Sequence, residues 1–459
     1  MAGIGFALRK LARRDDLLGV LQGYAHSAFI TSGPWMFTIL ALAGINLVGK
    51  DLVAMEELTL FRVVVIYNFC FSVVLTGPLV MVATRYLADA IYAKQVDTAP
   101  GMLLATLGLA YAIAALTAGP FYLFLSDLPV PMAAAALINF FLVSGIWVVS
   151  IFLSALKDYV AVTTAFGFGM LVATVATGVL GAFAGPTGMV WGFSAGLAAI
   201  QFGLIARVFA EYPYRVARLF AFLAYFRKYW DLALVGLFAN LAVWVDKWIM
   251  WFVPEREAVS GAMVIYSAYD SAMFVAYLTI LPALTLFTVN IETRFFERYQ
   301  GFYRDIQSHA TYDQIARNHK SIVAALLESS RNLIILQGAV CAVTIFLAPS
   351  IVGSLGLHYQ QIGMFRFGTL GAFFQVLFLF CTVILAYFDL RKRNLCAQLF
   401  YLVANAGFTL LFSDMGFAWY GYGYFLSSLL AFALTYLMVA DALRRLPYFA
   451  FVANNPSVR

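Results

Sequence analysis

Two adjacent charged residues lie in the middle of a strongly apolar stretch of this sequence. Asp246 and Lys247 are surrounded by apolar and tryptophan residues, and Asp270 falls inside the following apolar stretch. A charge at the centre of a bilayer costs about 2.5–3.5 kcal/mol on insertion scales, so it persists where it is paired or lines a polar pathway. These three side chains are therefore the first candidates for a functional site.

The positions of the three residues predict how they pair. Neighbouring residues of a helix point about 100° apart, so Asp246 and Lys247 are expected to form a poor ion pair with each other. At about 1.5 Å per residue, Lys247 and Asp270 reach compatible depths on antiparallel helices. Asp270 is therefore the predicted partner of Lys247. Two interpretations stay open: a polar translocation path, and a structural ion pair that holds two helices together.

Other polar side chains near these stretches extend the candidate path. Tyr266 and Tyr269 could hydrogen-bond a sugar, although a tyrosine packed between helices is the commoner arrangement. Arg62 and Arg366 are expected near the outer ends of their helices, where they would snorkel to the interface or form a basic vestibule. The candidate translocation path consists of Arg62, Asn240, Asp246, Lys247, Tyr266, Tyr269, Asp270 and Arg366.

The elements that must position these side chains are long apolar segments. The chain of 459 residues is 63% hydrophobic and 11% charged, against about 25% charged in typical soluble proteins. Twelve stretches are each long enough to cross about 30 Å of hydrocarbon as a helix. The sequence therefore predicts an all-α integral membrane protein with twelve transmembrane helices. The predicted spans are 25–49, 59–84, 101–125, 131–155, 159–182, 187–209, 229–253, 260–288, 332–352, 364–388, 396–413 and 417–442.

Basic residues indicate the orientation of these spans. If the chain starts in the cytoplasm, 24 of its 29 Lys and Arg residues fall in cytoplasmic segments, as the positive-inside rule requires. Both termini are then cytoplasmic, and the first apolar segment is expected to be a retained helix rather than a cleaved signal peptide. The net charge of +6 reflects this bias and indicates contact with lipid headgroups, not with nucleic acid.

Two basic amphipathic segments suggest two parallel halves. Segments 6–14 and 212–230 mix Arg and Lys with aromatic and aliphatic residues, which is typical of helices lying in the membrane interface. Each would precede six spans. The predicted lobes are 1–210 and 211–459, as in transporters built from repeated halves.

Prolines are expected to break four of the spans. Pro34, Pro78 and Pro120 each follow a glycine in the first three spans, and Pro282 lies in the eighth. A proline inside a helix removes a backbone hydrogen bond and kinks the segment. Kinked spans would suit a protein that moves, although proline is also simply more frequent in membrane helices.

Two common motifs of catalysis are missing from the sequence, as is the usual spacing of metal ligands. No GxxxxGK[ST] or HExxH motif occurs, so those routes of ATP hydrolysis and metalloprotease chemistry are not supported. The four cysteines lack CxxC spacing, and the four histidines are scattered, so no disulfide framework or zinc site is predicted. We predict no enzyme activity, no catalytic residue, no metal and no cofactor.

Short segments spread along the whole chain share the pattern of one family. They are 1–6 (MAGIGF), 8–11 (LRKL), 32–35 (SGPW), 246–247 (DK), 269–282, 291–293 (IET), 302–303 (FY) and 387–393 (YFDLRKR). Together they resemble the PelG family, membrane transporters of the Pel exopolysaccharide system. The resemblance implies the fold of the multidrug/oligosaccharidyl-lipid/polysaccharide (MOP) flippase superfamily, with two six-helix lobes around a central cavity.

The resemblance also implies a cargo, a location and partners. The cargo would be Pel, a biofilm polymer rich in N-acetylated and free galactosamine, exported across the bacterial inner membrane while a glycosyltransferase makes it. The partners would be the glycosyltransferase PelF and the membrane proteins PelD and PelE, with PelD sensing cyclic di-GMP. A partly cationic polymer would favour acidic lining such as Asp246 and Asp270.

Three other functions remain open at this point. A flippase for an undecaprenyl-linked saccharide would need cations for the diphosphate, which Lys247, Arg62 and Arg366 could supply. A cation-coupled multidrug exporter would use Asp246 or Asp270 as its ion site. A membrane-embedded transferase would need a catalytic acid or histidine grouped at one face, and the sequence offers no convincing group of this kind.

The orientation is directly testable. Reporter domains fused at Ser126 or Pro254 should report the outer side of the membrane, because both positions follow an odd number of predicted spans. A cytoplasmic signal from both fusions would contradict the predicted topology.

Overall fold

The chain forms an almost entirely helical protein. A computed structural model describes residues 17–156, 158–291 and 295–448, and 86% of the structure is helical. The helices are α1 (Leu17–Leu52), α2 (Met55–Tyr92), α3 (Ala99–Pro120), α4 (Val130–Leu156), α5 (Tyr159–Glu211), α6 (Leu223–Lys228), α7 (Trp230–Met250), α8 (Ser267–Leu278), α9 (Leu281–Asn290), α10 (Phe296–Gln307), α11 (Tyr312–Phe346), α12 (Ala348–Ser354), α13 (Gln361–Tyr387), α14 (Arg391–Asp414), α15 (Tyr422–Arg444) and α16 (Leu446–Tyr448).

Ten helical segments within the described residues are long and apolar enough to cross a membrane. The longest runs from Val160 to Glu211 and covers two of the predicted spans. The prediction of an all-α multi-pass membrane fold is confirmed. Helix α1 is not among the ten, although it is 36 residues long.

Helix α5 is broken in its middle. Ala184 and Gly185 have non-helical backbone angles, and Gly185 has φ +56° and ψ −142°. Pro186 follows immediately, which disfavours helical geometry in the residue before it. The break falls between the predicted spans 159–182 and 187–209, although Pro186 was not among the prolines expected to break a span.

Prolines elsewhere have weaker effects than expected. Helices α1 and α2 run through Pro34 and Pro78 without a break, so the predicted interruptions there are wrong. Pro120 ends α3 and is followed by a π-helical turn, while Pro282 stands in the first turn of α9, where its missing N–H costs nothing. The eighth predicted span is therefore divided into α8 and α9.

The segments that the sequence places on the cytoplasmic side also differ from expectation. Segment 6–14 lies outside the described residues. Of the expected interfacial helix at 212–230, only Leu223–Lys228 is helical before α7 begins. The segment 290–330 contains α10 and the first part of α11, which starts at Tyr312, twenty residues before the predicted span.

The chain divides into two compact units. The N-terminal unit comprises 32–244 and 250–267, and the C-terminal unit comprises 245–249 and 268–448 together with 17–31 of the described residues. Each unit is described separately below.

The N-terminal unit is held together by buried amides between its helices. Asn68 on α2 donates to Asn139 on α4 at 2.9 Å, and Asn139 donates to Ser194 on α5 at 2.9 Å. The hydroxyl of Tyr122 donates to Asn68 at 2.6 Å. Polar groups surrounded by hydrocarbon must find protein partners, so this chain of hydrogen bonds fixes which faces of these helices meet.

A small β-hairpin caps the same unit. Its antiparallel strands are β1 (Glu257–Ser260) and β2 (Met263–Ile265). The amide of Ala262 donates to the carbonyl of Leu125 at 2.8 Å, and Tyr67 donates to the carbonyl of Val264 at 2.7 Å. The hairpin is thereby fastened to α2 and to the turn after α3.

The C-terminal unit packs around α13. This helix contacts α11, α14 and α15, and most of its length is buried. An aromatic cluster of Phe295, Tyr299, Tyr387 and Phe388 joins α10 to the end of α13. The hydroxyl of Tyr299 also donates to the carbonyl of Tyr387 at 3.0 Å, so α10 is attached to the transmembrane helices.

The break in α5 should depend on glycine. Gly185→Ala should lower the free energy of unfolding by about 1–3 kcal/mol, because side-chain-bearing residues are strained at this backbone geometry. Gly178→Ala is the control, since it lies within the helical part of α5 and an added Cβ would meet only Val48 at 3.9 Å. Thermal unfolding of both purified variants measures the difference, and equal melting temperatures would show that the break does not require glycine.

Candidate functional site

A buried ion pair lies in the C-terminal unit. Asp246 on α7 is fully buried, and the Nζ of Lys247 lies 3.1 Å from each of its carboxylate oxygens. The Lys247 side chain is only 11% exposed. The expectation that these two neighbours form a poor ion pair is therefore wrong.

The flexibility of lysine explains the pairing. Its four-carbon stem lets the ammonium fold back over the neighbouring carboxylate, although the two Cα–Cβ bonds diverge. Both residues stand close to the C-terminal end of α7 at Met250, where the helix dipole favours a cation and disfavours an anion. Lys247 thus offsets both the buried carboxylate and the negative end of the helix.

Neutral side chains complete the surroundings of Asp246. Tyr269 on α8 donates its hydroxyl to Oδ2 of Asp246 at 3.0 Å, and Asn405 on α14 donates to Oδ1 at 3.5 Å. The amide oxygen of Asn405 accepts from Thr409 at 3.3 Å and from Ser427 at 3.2 Å. The carboxylate is therefore linked to α8, α14 and α15.

A second branch starts at Lys247. Its Nζ lies 5.5 Å from the centre of the Tyr424 ring, within range of a cation–π contact. The hydroxyl of Tyr424 donates to the side-chain oxygen of Gln375, and the amide of Gln375 donates to Tyr277 at 3.0 Å. Tyr424 packs on Gly371 of α13, where any Cβ would overlap the ring.

These residues form one connected group, which we call the polar network. Its charges are one carboxylate and one ammonium, and its remaining members are hydroxyls and amides. Such a set offers many neutral donors and acceptors and no net charge. The members of the polar network are Asp246, Lys247, Tyr269, Tyr277, Gln375, Asn405, Thr409, Tyr424 and Ser427.

The structure brings together part of the candidate path predicted from sequence. Asp246, Lys247 and Tyr269 lie in the polar network, and Asp270 follows Tyr269 on α8. The pairing of Lys247 with Asp270 stays a prediction. Arg366 belongs to the same unit and is exposed on α13.

The other three candidates belong to the N-terminal unit. Arg62 is exposed and donates to Thr59 at 2.8 Å. Asn240 donates to the carbonyls of Val73 and Gly236 at 3.1 and 3.0 Å, which ties α7 to α2. Tyr266 precedes α8; burial and the nearby carboxylates of Glu255 and Glu257 raise its pKa to about 12.

Sequence reasoning missed most members of the polar network. Gln375, Asn405 and Tyr424 lie in the last three long helices, in which Arg366 was the one candidate taken from the sequence. A signal did exist, because an amide inside an apolar span costs free energy unless it finds a hydrogen-bond partner. Within the described residues, no group of three or more His, Cys, Asp or Glu side chains is placed to hold a metal ion.

Comparison with known proteins identifies related sequences and folds. The sequence profile described as "PelG: Putative exopolysaccharide Exporter (EPS-E)" matches residues 1–451. No curated protein sequence matches the chain.

Solved structures show the fold. An outward-facing MATE-family multidrug resistance transporter of the MOP superfamily matches with a TM-score of 0.64 at 15% identity, covering 98% of this chain and 99% of its own. A MOP-superfamily transporter from Pyrococcus furiosus Vc1 (DSM3638), whose binding pocket has reversed polarity, matches with a TM-score of 0.62 at 15% identity, covering 92% and 96%. An inward-facing MATE-family transporter matches with a TM-score of 0.61 at 15% identity, covering 91% and 99%. At these identities the likeness concerns the fold alone.

The buried ion pair can be tested by a double-mutant cycle. Asp246→Leu and Lys247→Met should each lower the free energy of unfolding by about 3–5 kcal/mol, because each leaves a buried charge uncompensated. The double variant should be more stable than the sum of the two effects predicts. Arg366→Met, which removes an exposed charge from the same unit, should change stability little.

The same cycle with Lys247→Met and Asp270→Leu tests the pairing predicted from sequence. Thermal unfolding of the purified variants gives the coupling in both cycles. Additive effects in the first cycle would contradict the ion pair of Asp246 and Lys247, and additive effects in the second would exclude a pair of Lys247 and Asp270.

Proposed function

The chain belongs to the PelG family of exopolysaccharide exporters, and we propose that it carries the Pel polymer across the bacterial inner membrane. The observation that carries the proposal is the family match over residues 1–451, joined to a MOP-superfamily transporter fold. In this proposal the chain transports the polymer and makes no bonds.

The polar network is the proposed contact with the sugar chain. A hexosamine polymer presents hydroxyls and amides, together with ammonium groups where the amine is free. The hydroxyls of Tyr269, Tyr277 and Tyr424 and the amides of Gln375 and Asn405 supply matching partners. Because Tyr269, Tyr424, Gln375 and Asn405 are buried and Tyr277 is half-buried, sugar contacts would require these groups to exchange hydrogen bonds during transport.

Charge pairing in the polar network supports a polymer over the alternative cargoes. The ammonium of Lys247 already contacts both carboxylate oxygens of Asp246, so a transported cation would have to displace it. Lys247 is also poorly suited to bind the diphosphate of a lipid carrier, because the carboxylate of Asp246 already balances its charge. The network therefore favours a ligand that is recognised mainly by hydrogen bonds.

Twelve crossings in two lobes are also part of the proposal. Ten candidate spans are described, α1 adds one apolar helix of 36 residues, and the break at Gly185 divides the longest span into two. With an even number of crossings, both termini lie in the cytoplasm. The predicted lobe boundary between 210 and 211 falls at the end of α5.

Coupling to synthesis is proposed through a cytoplasmic segment. Helix α11 is about 52 Å long at 1.5 Å per residue, which exceeds the ~30 Å hydrocarbon core. Its first turns, with α10 packed against them, would therefore project into the cytoplasm with Arg304, Arg317 and Lys320 exposed. We propose that this projection holds the glycosyltransferase PelF, within an assembly that includes PelD and PelE.

A vesicle assay tests the transport proposal. Vesicles that contain the chain, supplied on the cytoplasmic side with PelF and its nucleotide sugar, should accumulate polymer on the opposite side. Polymer that crosses equally well without the chain would end the proposal. A requirement for a lipid-linked donor would instead support the flippase alternative.

The role of the polar network is tested in the same assay. Tyr424→Phe keeps the ring near Lys247 but removes the hydroxyl bond to Gln375, and it should lower export about two- to tenfold. Tyr436→Phe is the matched control, because it lies on the same helix and is 52% exposed. If Tyr424→Phe lowers the melting temperature but not export per folded molecule, the network only stabilises the unit.

A further inference from the structure

The N-terminal unit contains a groove that is separate from the polar network. A groove of about 510 Å³ lies between α3, α4 and the second half of α5, within the size range of ligand sites. Eight of its ten lining residues are apolar, and the two polar ones are Tyr111 and Gln201. Leu104, Ile138 and Phe202 at its edge are partly exposed, which indicates that the groove opens towards hydrocarbon.

The two polar residues form a pair inside the groove. The side-chain amide of Gln201 donates to the hydroxyl of Tyr111, and Gln201 is only 2% exposed. A Cβ at position 145 would overlap both side chains, so Gly145 of α4 provides the space in which they meet. The pair is therefore accommodated by the backbone and is not a chance surface contact.

The pair retains unused hydrogen-bonding capacity. The Oε1 atom of Gln201 is buried and has no hydrogen-bond partner within the described part of the chain. The hydroxyl of Tyr111 accepts from Gln201, which leaves its own hydrogen available to donate. An unsatisfied buried acceptor destabilises the protein, so a ligand that supplies a donor there would be favoured.

The depth of the pair restricts the ligand. Gln201 lies ten residues before the end of α5 at Glu211, and Tyr111 lies twelve residues after the start of α3 at Ala99. At 1.5 Å per residue these positions are about 15 and 18 Å from the helix ends, near the middle of a ~30 Å hydrocarbon core. The ester groups of ordinary phospholipids stay at the interface and do not reach this depth.

We propose that the groove binds an amphiphile whose alkyl chain carries a hydroxyl or a secondary amide at mid-bilayer depth. The chain would fill the apolar groove. A ligand hydroxyl would accept from Tyr111 and donate to Oε1 of Gln201, which completes the hydrogen bonds of the pair. A plain acyl chain would fill the same volume but leave Gln201 unsatisfied.

Two chemically matched probes test the proposal on the full-length protein. In detergent, after delipidation, 12-hydroxystearate should bind about tenfold more tightly than stearate, as expected for one satisfied donor–acceptor pair. Native mass spectrometry gives both affinities. Equal affinities in the wild-type protein would overturn the proposed recognition.

Variants separate the polar pair from the groove. Tyr111→Phe combined with Gln201→Leu should abolish the preference for the hydroxylated probe and leave stearate binding unchanged. Tyr86→Phe is the control, since its hydroxyl contacts Thr98 outside the groove. Retention of the preference in the double variant would contradict the roles of Tyr111 and Gln201.

A variant that fills the groove tests the site without substituting Tyr111 or Gln201. Gly108 lines the groove, and Gly203 lies on α5 outside its lining; an added Cβ would meet no atom within 4 Å at either position. Gly108→Leu should weaken both probes at least tenfold, whereas Gly203→Leu should leave both unchanged. Unchanged binding in Gly108→Leu would overturn the site.

The source of the natural ligand is identified from co-purifying lipids. A hydroxylated or amide-bearing bilayer lipid that is present with the wild-type protein and absent from Gly108→Leu would identify the membrane as the source. A wild-type protein that purifies without such a lipid and still prefers 12-hydroxystearate would identify a free amphiphile.

Discussion

The requirement that a buried carboxylate be fully compensated organises the C-terminal unit. Asp246 has no exposed surface, and hydrocarbon offers it no partners, so ammonium, phenol and amide groups must come from the protein. Lys247, Tyr269 and Asn405 supply them from α7, α8 and α14. Each of these helices is thereby fixed in rotation, because a small rotation would withdraw a donor from the charge.

The same requirement explains the composition of the surrounding helices. Asn405, whose own amide donates to Asp246, must have its oxygen satisfied by Thr409 and Ser427. Tyr424 packs against Gly371, and its buried hydroxyl likewise needs a hydrogen-bond partner, which is the side-chain oxygen of Gln375. Polar residues therefore occur in connected sets within this unit, and the buried amides of the N-terminal unit follow the same rule with Asn68 and Asn139. Under the proposed function, a network of this kind would exchange partners with a hydroxyl-rich cargo without exposing an unpaired charge.

Proline breaks a helix in the described part of this protein only where the neighbouring residues also favour a break. Gly185 breaks α5 because its backbone geometry is strained for other residues and Pro186 follows it. Pro34 and Pro78 leave their helices continuous, since one lost hydrogen bond can be tolerated when neighbouring helices hold the segment. Proline alone is thus a weak signal of a break, and a glycine with positive φ next to proline is a stronger one.

The sequence by itself determined the membrane location, the helical class, most span positions, the break in α5 and the family. These features depend on composition, on segment length and on short motifs, which are local properties of the chain. The tertiary structure decided which polar groups meet: that Lys247 folds back onto Asp246, that Asn405 and Tyr424 join them, and that Asn240 and Tyr266 belong to the other unit. Such contacts depend on helix rotation and on flexible side chains, and a span pattern specifies neither.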